Sequence, residues 1–509
     1  MSVPTPTAPA GASRVGPGRV GRYEVVVVGA GFAGLAAAMA LREAGIDDVL
    51  LVERAASVGG TWRDNTYPGV ACDIPSHLYG FAAHPNPDWS GVYATGPEIR
   101  EYLETVAVVE GIIPRLNSPL TDAWWDDEWE TWRLRVGGPR PAEVSADALV
   151  LACGRLTEPR IPDVPGLEGF TGPVFHSSRW RHDVDLDGAR VAVVGTGASA
   201  VQLVPELART ARVTLFQRSP AWIVPRGARA YTDAERDRFR LHPSELADLR
   251  AQLFAEGEER FASRSGDAAA SAAARDIALA HLRDQIPDPA LRARLTPDYA
   301  FGCKRVLLSD EFYPALASGA VTLEASALAA VDDGALVAAS GARHDVDAIV
   351  FATGFASTRQ PYADLVRGEH GTLAQHWSRG MTSFASTVVS GFPNLFVLDG
   401  PNASLGHNSS VLMIEEQAAY LARTLANRFD SDRDGVLRVD PRAERAYTAE
   451  IDRAAASTPW ITGGCRNWYV DDRSGRLTLL WPGTVTAFRE RLARADGSEF
   501  LLPLQREVA

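Results

Sequence analysis

An α/β fold of two doubly wound units, one set inside the other, is what this sequence predicts, and three observations predict it. A strand, a glycine turn, a helix and a second strand succeed one another from Tyr23, and the same succession starts again at Arg190. Two look-alike segments, Ala146–Gly154 and Val346–Gly354, bracket the second unit; each carries an acid, an apolar strand and a turn of small residues. With 509 residues, 46% of them apolar and 23% charged, the chain has a globular balance and material for roughly two to four domains.

Met1 to about Gly21 is rich in Pro, Ala and Gly and reads as a disordered tail, without the apolar stretch of a signal peptide. Tyr23–Val28 is a β-branched run of buried-strand length. Gly29-Ala30-Gly31-Phe32-Ala33-Gly34 follows, then the helical Leu35–Ala44, then a strand Val49–Val52 ending at Glu53. Gly29 permits the tight turn, Gly31 lets the backbone approach a pyrophosphate, and Gly34 lets helix and strand pack closely. Glu53 stands 19 residues beyond Gly34, where an adenosine-ribose ligand belongs. The charge-free stretch Val25–Leu41 is broken by glycines and falls short of the ~20 residues of a membrane span. It is strand, turn and helix.

In the second unit, Arg190–Val194 is the strand, and Gly195-Thr196-Gly197-Ala198-Ser199-Ala200 opens a helix through Ala208. The next strand, Val213–Phe216, ends at Gln217-Arg218-Ser219 with no acid. A cation there suits a 2′-phosphate; a plain surface arginine is the alternative. An acid in the first unit and a cation in the second point to FAD and NADPH in turn. The bracketing segments then place a NADPH-binding domain, 161–344, inside a FAD-binding domain split into 22–160 and 345–509.

Between 226 and 297 the composition shifts to Ala, Arg, Glu, Asp and Leu at helical spacing, with a break near Ser263–Ala273. This is a helical insertion of the NADPH domain, either a lid or a decoration. Trp124, Trp125, Trp129 and Trp132 fit a β-hairpin of the FAD half better than an aromatic ligand cage.

The net charge of −13 and a pI near 5.3 argue against a nucleic-acid binder and give no attraction to an anionic membrane. Cys72, Cys153, Cys303 and Cys465 are far apart and form no CxxC pair. That speaks against a disulfide scaffold and a cysteine-ligated zinc, and fits a reducing cytoplasm. The histidines show no metal-binding spacing, and no GxSxG elbow is present. A metal site, a hydrolase and a disulfide reductase are therefore not expected.

Four further motifs resemble those of the Baeyer–Villiger monooxygenases. Phe170 through Trp180 fits FxGxxxHxxxW, with His176 and Trp180 at its marked positions, directly before the second glycine turn. Arg181 departs from that family, which usually has Pro or Asp there; Asp183 follows two residues on. Gly60 through Asp73, with Trp62 inside it, is similar to GxWxxxxYPGxxxD, and Asp347 through Gly354 to DAxxxATG. Lys304-Arg305 looks like the family's Lys-Arg pair, with Glu311-Phe312-Tyr313 at the family's spacing. The resemblance runs from about Tyr23 to Phe488 and leaves out the tail and the insertion.

The resemblance implies a cytoplasmic flavoprotein that takes a ketone, O₂ and NADPH and yields an ester or lactone through a C4a-peroxyflavin. Arg305 is the implied catalytic cation, since a guanidinium stabilises a peroxyanion without giving up a proton. Asp73 would hold it through a bidentate pair; a plain interdomain salt bridge is the bland alternative. Lys304 and Arg218 would meet the 2′-phosphate, and Trp468, in Asn467-Trp468-Tyr469, would sit on a mobile loop over the nicotinamide. His176 and Trp180 suit domain movement better than proton transfer, and His407 is either a pocket group or a structural histidine. A relative of the same fold that oxidises N or S of a soft nucleophile is the second reading, for which Arg181 leaves room.

Overall fold

The computed structural model describes residues 21–430 and 436–501. The tail lies outside them except for Gly21, which already opens the first strand, Gly21–Val28. That strand pairs in parallel with Val49–Val52 on one side and with Ala142–Leu151 on the other. Val25 to Val28 are buried, as strands covered on both faces require, so the run carries no polar residue.

Beyond Ala142–Leu151 the same eight-stranded sheet turns antiparallel. Thr131–Val136 pairs with it, and Leu120–Asp126 pairs in turn with Thr131–Val136. This is the tryptophan hairpin. Trp125 and Trp132 are buried, and Trp132 Nε1 donates to the Pro393 carbonyl at 2.7 Å. Trp129 is exposed at the turn, and Trp124 lies 4.9 Å from the Arg135 guanidinium. The rings therefore serve core and surface, not a cage. The C-terminal half returns to this sheet through Leu395–Val397, paired in parallel with Leu149–Leu151.

The second sheet is parallel and five-stranded. Its order is Val321–Glu324, Arg212–Phe216, Arg190–Val194, Ala348–Phe351 and Val174–His176. Ala348–Phe351 thus belongs to the inserted unit, which corrects the expected boundary at residue 345. Its apolar run and small-residue turn look the same whichever sheet receives them, so pattern alone could not assign it. Outgoing and returning chains cross just beyond, where Pro159 bridges Phe355 and Arg160 N donates to the Gly354 carbonyl at 2.8 Å.

The insertion forms helices Asp233–Leu241, Pro243–Glu259, Ala268–Gln285 and Pro289–Leu295. Its break is narrower than expected. A 3₁₀ turn, Arg260–Arg264, follows the second helix, and Asp267 caps the third by accepting from Ala270 N at 2.9 Å. The second helix docks on the FAD half. Arg250 Nη1 donates to the His77 carbonyl at 3.0 Å, and Glu258 accepts from Val485 N and Thr486 N, both at 3.0 Å. Among the described residues, no helix is long and apolar enough to cross a membrane.

Candidate active site

The two glycine turns differ in what each glycine does. Gly29 and Gly195 have φ of +106° and +117°, and a Cβ on either would stand 2.5 Å from a backbone carbonyl. A Cβ on Gly34 would stand 1.8 Å from the Gly29 carbonyl oxygen. The fold itself demands these three. The middle glycines are different: a Cβ on Gly31 comes no closer than 3.5 Å to anything, and one on Gly197 meets nothing within 4 Å. The protein does not fill that space, so the two turns could each hold a pyrophosphate at a helix N-terminus. Gly60 packs against the first turn, where its Cβ would stand 3.1 Å from Gly31 Cα.

Glu53 is buried, and its carboxylate accepts from Ala30 N at 2.8 Å and Ala55 N at 2.9 Å. Arg63 Nη1 adds an ion pair at 3.0 Å. Three acceptor positions are used, and the remaining one is what a ribose hydroxyl could take. At the second strand end the side chains diverge. Gln217 is buried, and its Nε2 donates to the Arg294 carbonyl at 2.8 Å, so it packs the insertion rather than facing outward. Arg218 is exposed and, among the described residues, shows no hydrogen-bond or ion-pair partner. Lys304 Nζ reaches Ser219 Oγ and lies 4.6 Å from the centre of the Tyr299 ring. Burial, and then Arg218, lower the Lys304 pKa. Two neighbouring cations of this kind could hold a phosphate dianion.

Asp73 and Arg305 meet across the halves. Arg305 Nε and Nη2 both donate to one oxygen, Asp73 Oδ2, at 2.8 and 2.6 Å. The pair is not the expected two-oxygen fork, and Oδ1 is left over. Asp73 raises the Arg305 pKa further, so the guanidinium is a permanent cation. Tyr67 Oη donates to Gln202 at 2.9 Å, and Gln202 Nε2 donates back to the Ala71 carbonyl at 2.9 Å. This locks the Gly60–Asp73 segment onto the helix after the second glycine turn. A cleft of about 1400 Å³ opens here, walled by Trp62, Tyr67, Tyr93, Gln202 and Arg226. Asp73 and Arg305 are not on its wall, but Arg226 Nη2 donates to the Cys72 carbonyl at 2.9 Å, one residue away.

The C-terminal loop completes the centre. The Trp468 and Tyr469 rings meet at 4.4 Å, tilted by 45°, and Trp468 is half-buried. Burial pushes the Tyr469 phenol up to about 12, against the pull of Arg305 and Arg264. Cys303 and Cys465 form a disulfide across 162 residues, tying this loop to the Lys304-Arg305 segment. The wide spacing of the cysteines, read as speaking against a disulfide scaffold, conceals this one bridge, and the cysteine argument for a reducing compartment falls with it. Ala300 N, donating to the Gly463 carbonyl at 2.9 Å, brings the two strands of chain together.

His176 Nδ1 accepts from Ser178 N at 3.1 Å, and burial lowers its pKa to about 4. Trp180 packs edge-on against Phe175 at 5.2 Å. Arg181 pairs with Asp183 in an exposed ion pair, so the departure from the motif faces solvent. His407 is buried with neither ring nitrogen hydrogen-bonded, and burial lowers its pKa to about 3. Two cations were missed. Arg155, after the strand Ala142–Leu151, pairs with Asp399 and donates to Ser410 Oγ at 3.2 Å. Arg264 lies in the insertion, buried. A lone arginine after a strand or in a helical tract carries no signal of its own.

Two glycine turns of one type joined by an ion pair define a two-dinucleotide oxidoreductase. The pyridine nucleotide-disulphide oxidoreductase family matches residues 23–242. A Baeyer-Villiger monooxygenase of Streptomyces coelicolor is 46% identical over 94% of this chain and 92% of its own length. The structure of an oxidized steroid monooxygenase bound to NADP is 31% identical, with a TM-score of 0.82, over 95% of this chain and 99% of that one. OTEMO in complex with FAD and NADP is 26% identical, with a TM-score of 0.83, over 95% and 100%. The chain belongs to the Baeyer–Villiger monooxygenase family.

The disulfide generates a prediction. Reduction with dithiothreitol frees the loop, so trypsin should cut after the exposed Arg466 faster than in the oxidised protein, read by mass spectrometry of the fragments. A Cys465→Ser variant should be cut at the faster rate with or without reductant. Equal rates in all samples would show that the bridge does not restrain the loop.

Proposed function

We propose that the chain is an FAD-dependent monooxygenase that converts a ketone, O₂, NADPH and a proton into an ester or lactone, NADP⁺ and water. The observation that carries the reading is the permanent cation Arg305, held by Asp73 where the two glycine-turn units meet. Bound FAD, reduced by NADPH, would supply the activated oxygen. The first turn, with Gly29, Gly31, Gly34 and Glu53, would hold FAD, and Gly60 and Trp62 would border it. Gly195, Gly197, Ala198 and Ser199 would hold the NADPH pyrophosphate, and Arg218, Ser219 and Lys304 its 2′-phosphate. Gln217 would act by packing the strand end, and Trp468 would cover the nicotinamide.

Arg305 offers positive charge without a transferable proton, which suits a site where negative oxygen builds up and stray protons are harmful. Asp73 aims it: two donors on one carboxylate oxygen fix the guanidinium plane and leave Nη1 for the reacting oxygen. Tyr469, kept protonated, adds a neutral wall to the charged centre. Water exclusion falls to the loop that the disulfide ties down. Purified yellow protein given a ketone and a sulfide decides the outcome. A ketone product heavier by one oxygen supports the reading, whereas sulfoxide beside intact ketone supports heteroatom oxidation instead.

Four variants test the roles. Gly31→Val should fold and emerge colourless, because its side chain would take the space left for the pyrophosphate; normal flavin content would remove that site. Arg218→Ala should weaken NADPH by roughly 10- to 100-fold and leave NADH nearly unchanged, the size of a lost charged hydrogen bond. Equal losses for both nucleotides would rule out a 2′-phosphate contact. Arg305→Ala should keep FAD and its reduction by NADPH, while ester formation vanishes and the NADPH consumed appears as hydrogen peroxide. Asp73→Ala should move the same way less severely. Ester at near wild-type rate from Arg305→Ala would leave the pair as a mere interdomain bridge.

A further inference from the structure

Three arginines act on the buried Tyr469 phenol: Arg305, Arg264 and Arg155. Two have a carboxylate. Arg305 has Asp73, and Arg155 has Asp399. Arg264 has none: among the described residues, no Asp or Glu oxygen lies within 4.0 Å of its guanidinium. Its Nη1 donates to Ser263 Oγ at 2.6 Å and to the Arg260 carbonyl at 3.3 Å, and among the described residues Nε and Nη2 show no partner and are not sealed from solvent. The residue is 9% exposed, and burial lowers its pKa to about 10, with Arg305 adding to the effect. It stays charged near neutrality. A buried cation without a counter-ion is costly, and such groups are ordinarily paired.

The surroundings say what kind of counter-ion is missing. The stem of Arg264 passes Gly302, whose Cβ would stand 3.4 Å from Arg264 Cγ, three residues before Arg305. It also passes Gly406, at 4.0 Å by the same measure from Cδ. The guanidinium stands 5.8 Å from the centre of the Phe301 ring. Glu258 does not serve: its oxygens lie beyond 4.0 Å of the guanidinium, and they accept from Val485 N, Thr486 N and Asn408 Nδ2. Arg260 donates to the His407 carbonyl and adds a second cation, not an anion. His407 presents a buried, neutral ring with neither nitrogen hydrogen-bonded among the described residues, its Nε2 3.9 Å from Glu258 and its ring 5.0 Å from Phe261. The place is thus a cationic pole with a neutral hydrogen-bonding group, lined by aromatic rings, on the Arg305 side of the insertion.

We propose that Arg264 is a specificity residue that receives a carboxylate carried by the substrate, so that the favoured ketones are oxo acids. This rests on the monooxygenase reading of the Arg305 site. Nε and Nη2 present the two parallel donors that a carboxylate accepts. The half-buried Phe261 ring borders the carbon chain between the carboxylate and the carbonyl. Arg305 is then left for the reacting oxygen. The phosphates of the nucleotide are provided for elsewhere, at Arg218 and Lys304.

Equilibrium dialysis of the FAD-loaded enzyme with NADP⁺ present tests this without turnover, using levulinate and methyl levulinate as the charged and neutral probes. The unaltered enzyme should bind the acid roughly 10- to 100-fold tighter than the ester, as a charged hydrogen-bonded pair allows. Arg264→Gln should erase that preference, and Arg264→Lys should keep part of it, with NADP⁺ affinity little changed in either. Equal binding of acid and ester by the unaltered enzyme overturns the proposal even if both variants fail to fold. So does an Arg264→Gln variant that loses NADP⁺ as much as acid, since the arginine then serves the nucleotide. A failure of the monooxygenase reading looks different: no ketone gains oxygen, while the dialysis result stands by itself.

Discussion

The Asp73–Arg305 ion pair is the contact on which the arrangement of this molecule turns. Asp73 ends the segment that begins at Gly60 against the first glycine turn, and Arg305 follows the Lys304 that reaches the second strand end. One carboxylate oxygen receives two guanidinium donors, so the pair fixes direction as well as distance between the two units. The two side chains keep 26% and 22% of their surface exposed, so the cost of taking these charges out of water is incurred in part, and close, well-directed hydrogen bonds offset it. A merely structural strut would be made as well by apolar residues. A charged pair at this junction makes physical sense where a positive group must be kept ready and must not wander.

Around that pair the fold uses one turn twice and changes its ending. Both glycine turns need their first glycine for a positive φ against a backbone carbonyl, and both leave room at the middle glycine. The strand ends then part: Glu53 is tied down by two amides and Arg63, whereas Arg218 stands exposed and, among the described residues, unpaired. The first end is a finished, neutralised cradle with one acceptor position to spare. The second carries uncompensated positive charge beside Lys304. The same backbone architecture therefore presents two ligand poles of opposite character.

What could be read from the residues is what short range determines. The valine run Val25–Val28, the glycine turns and the alternation of the tryptophan hairpin each declare themselves within a few residues, because strand burial and backbone sterics are local constraints. Asp73 and Arg305 were legible only through motif resemblance, since 232 residues separate them. The disulfide was not legible: Cys303 and Cys465 are brought together by the pairing of Ala300 with Gly463, a tertiary event without a sequence mark. Ala348–Phe351 was placed in the wrong unit because an apolar strand with a small-residue turn suits either sheet. Arg155 and Arg264 escaped notice for a related reason. A cation becomes unusual only once its surroundings are known to be dry.

The insertion, open between lid and decoration on composition alone, is tied into the centre at several points. Glu258 accepts from the first amides of the C-terminal helix Val485–Ala493, where a carboxylate also meets the positive end of the helix dipole. Gly257 lies so close to Asn408 that a Cβ there would stand 2.4 Å from its side chain. Arg260 holds the His407 carbonyl. A freely swinging lid would not spend a glycine on close packing or a half-buried carboxylate on capping a distant helix. These contacts make the insertion a fixed wall, and a fixed wall is what the unpaired Arg264 requires. A cation on a moving element could find water or a surface acid whenever it opened, whereas one held at the end of a docked helix keeps its charge facing inward.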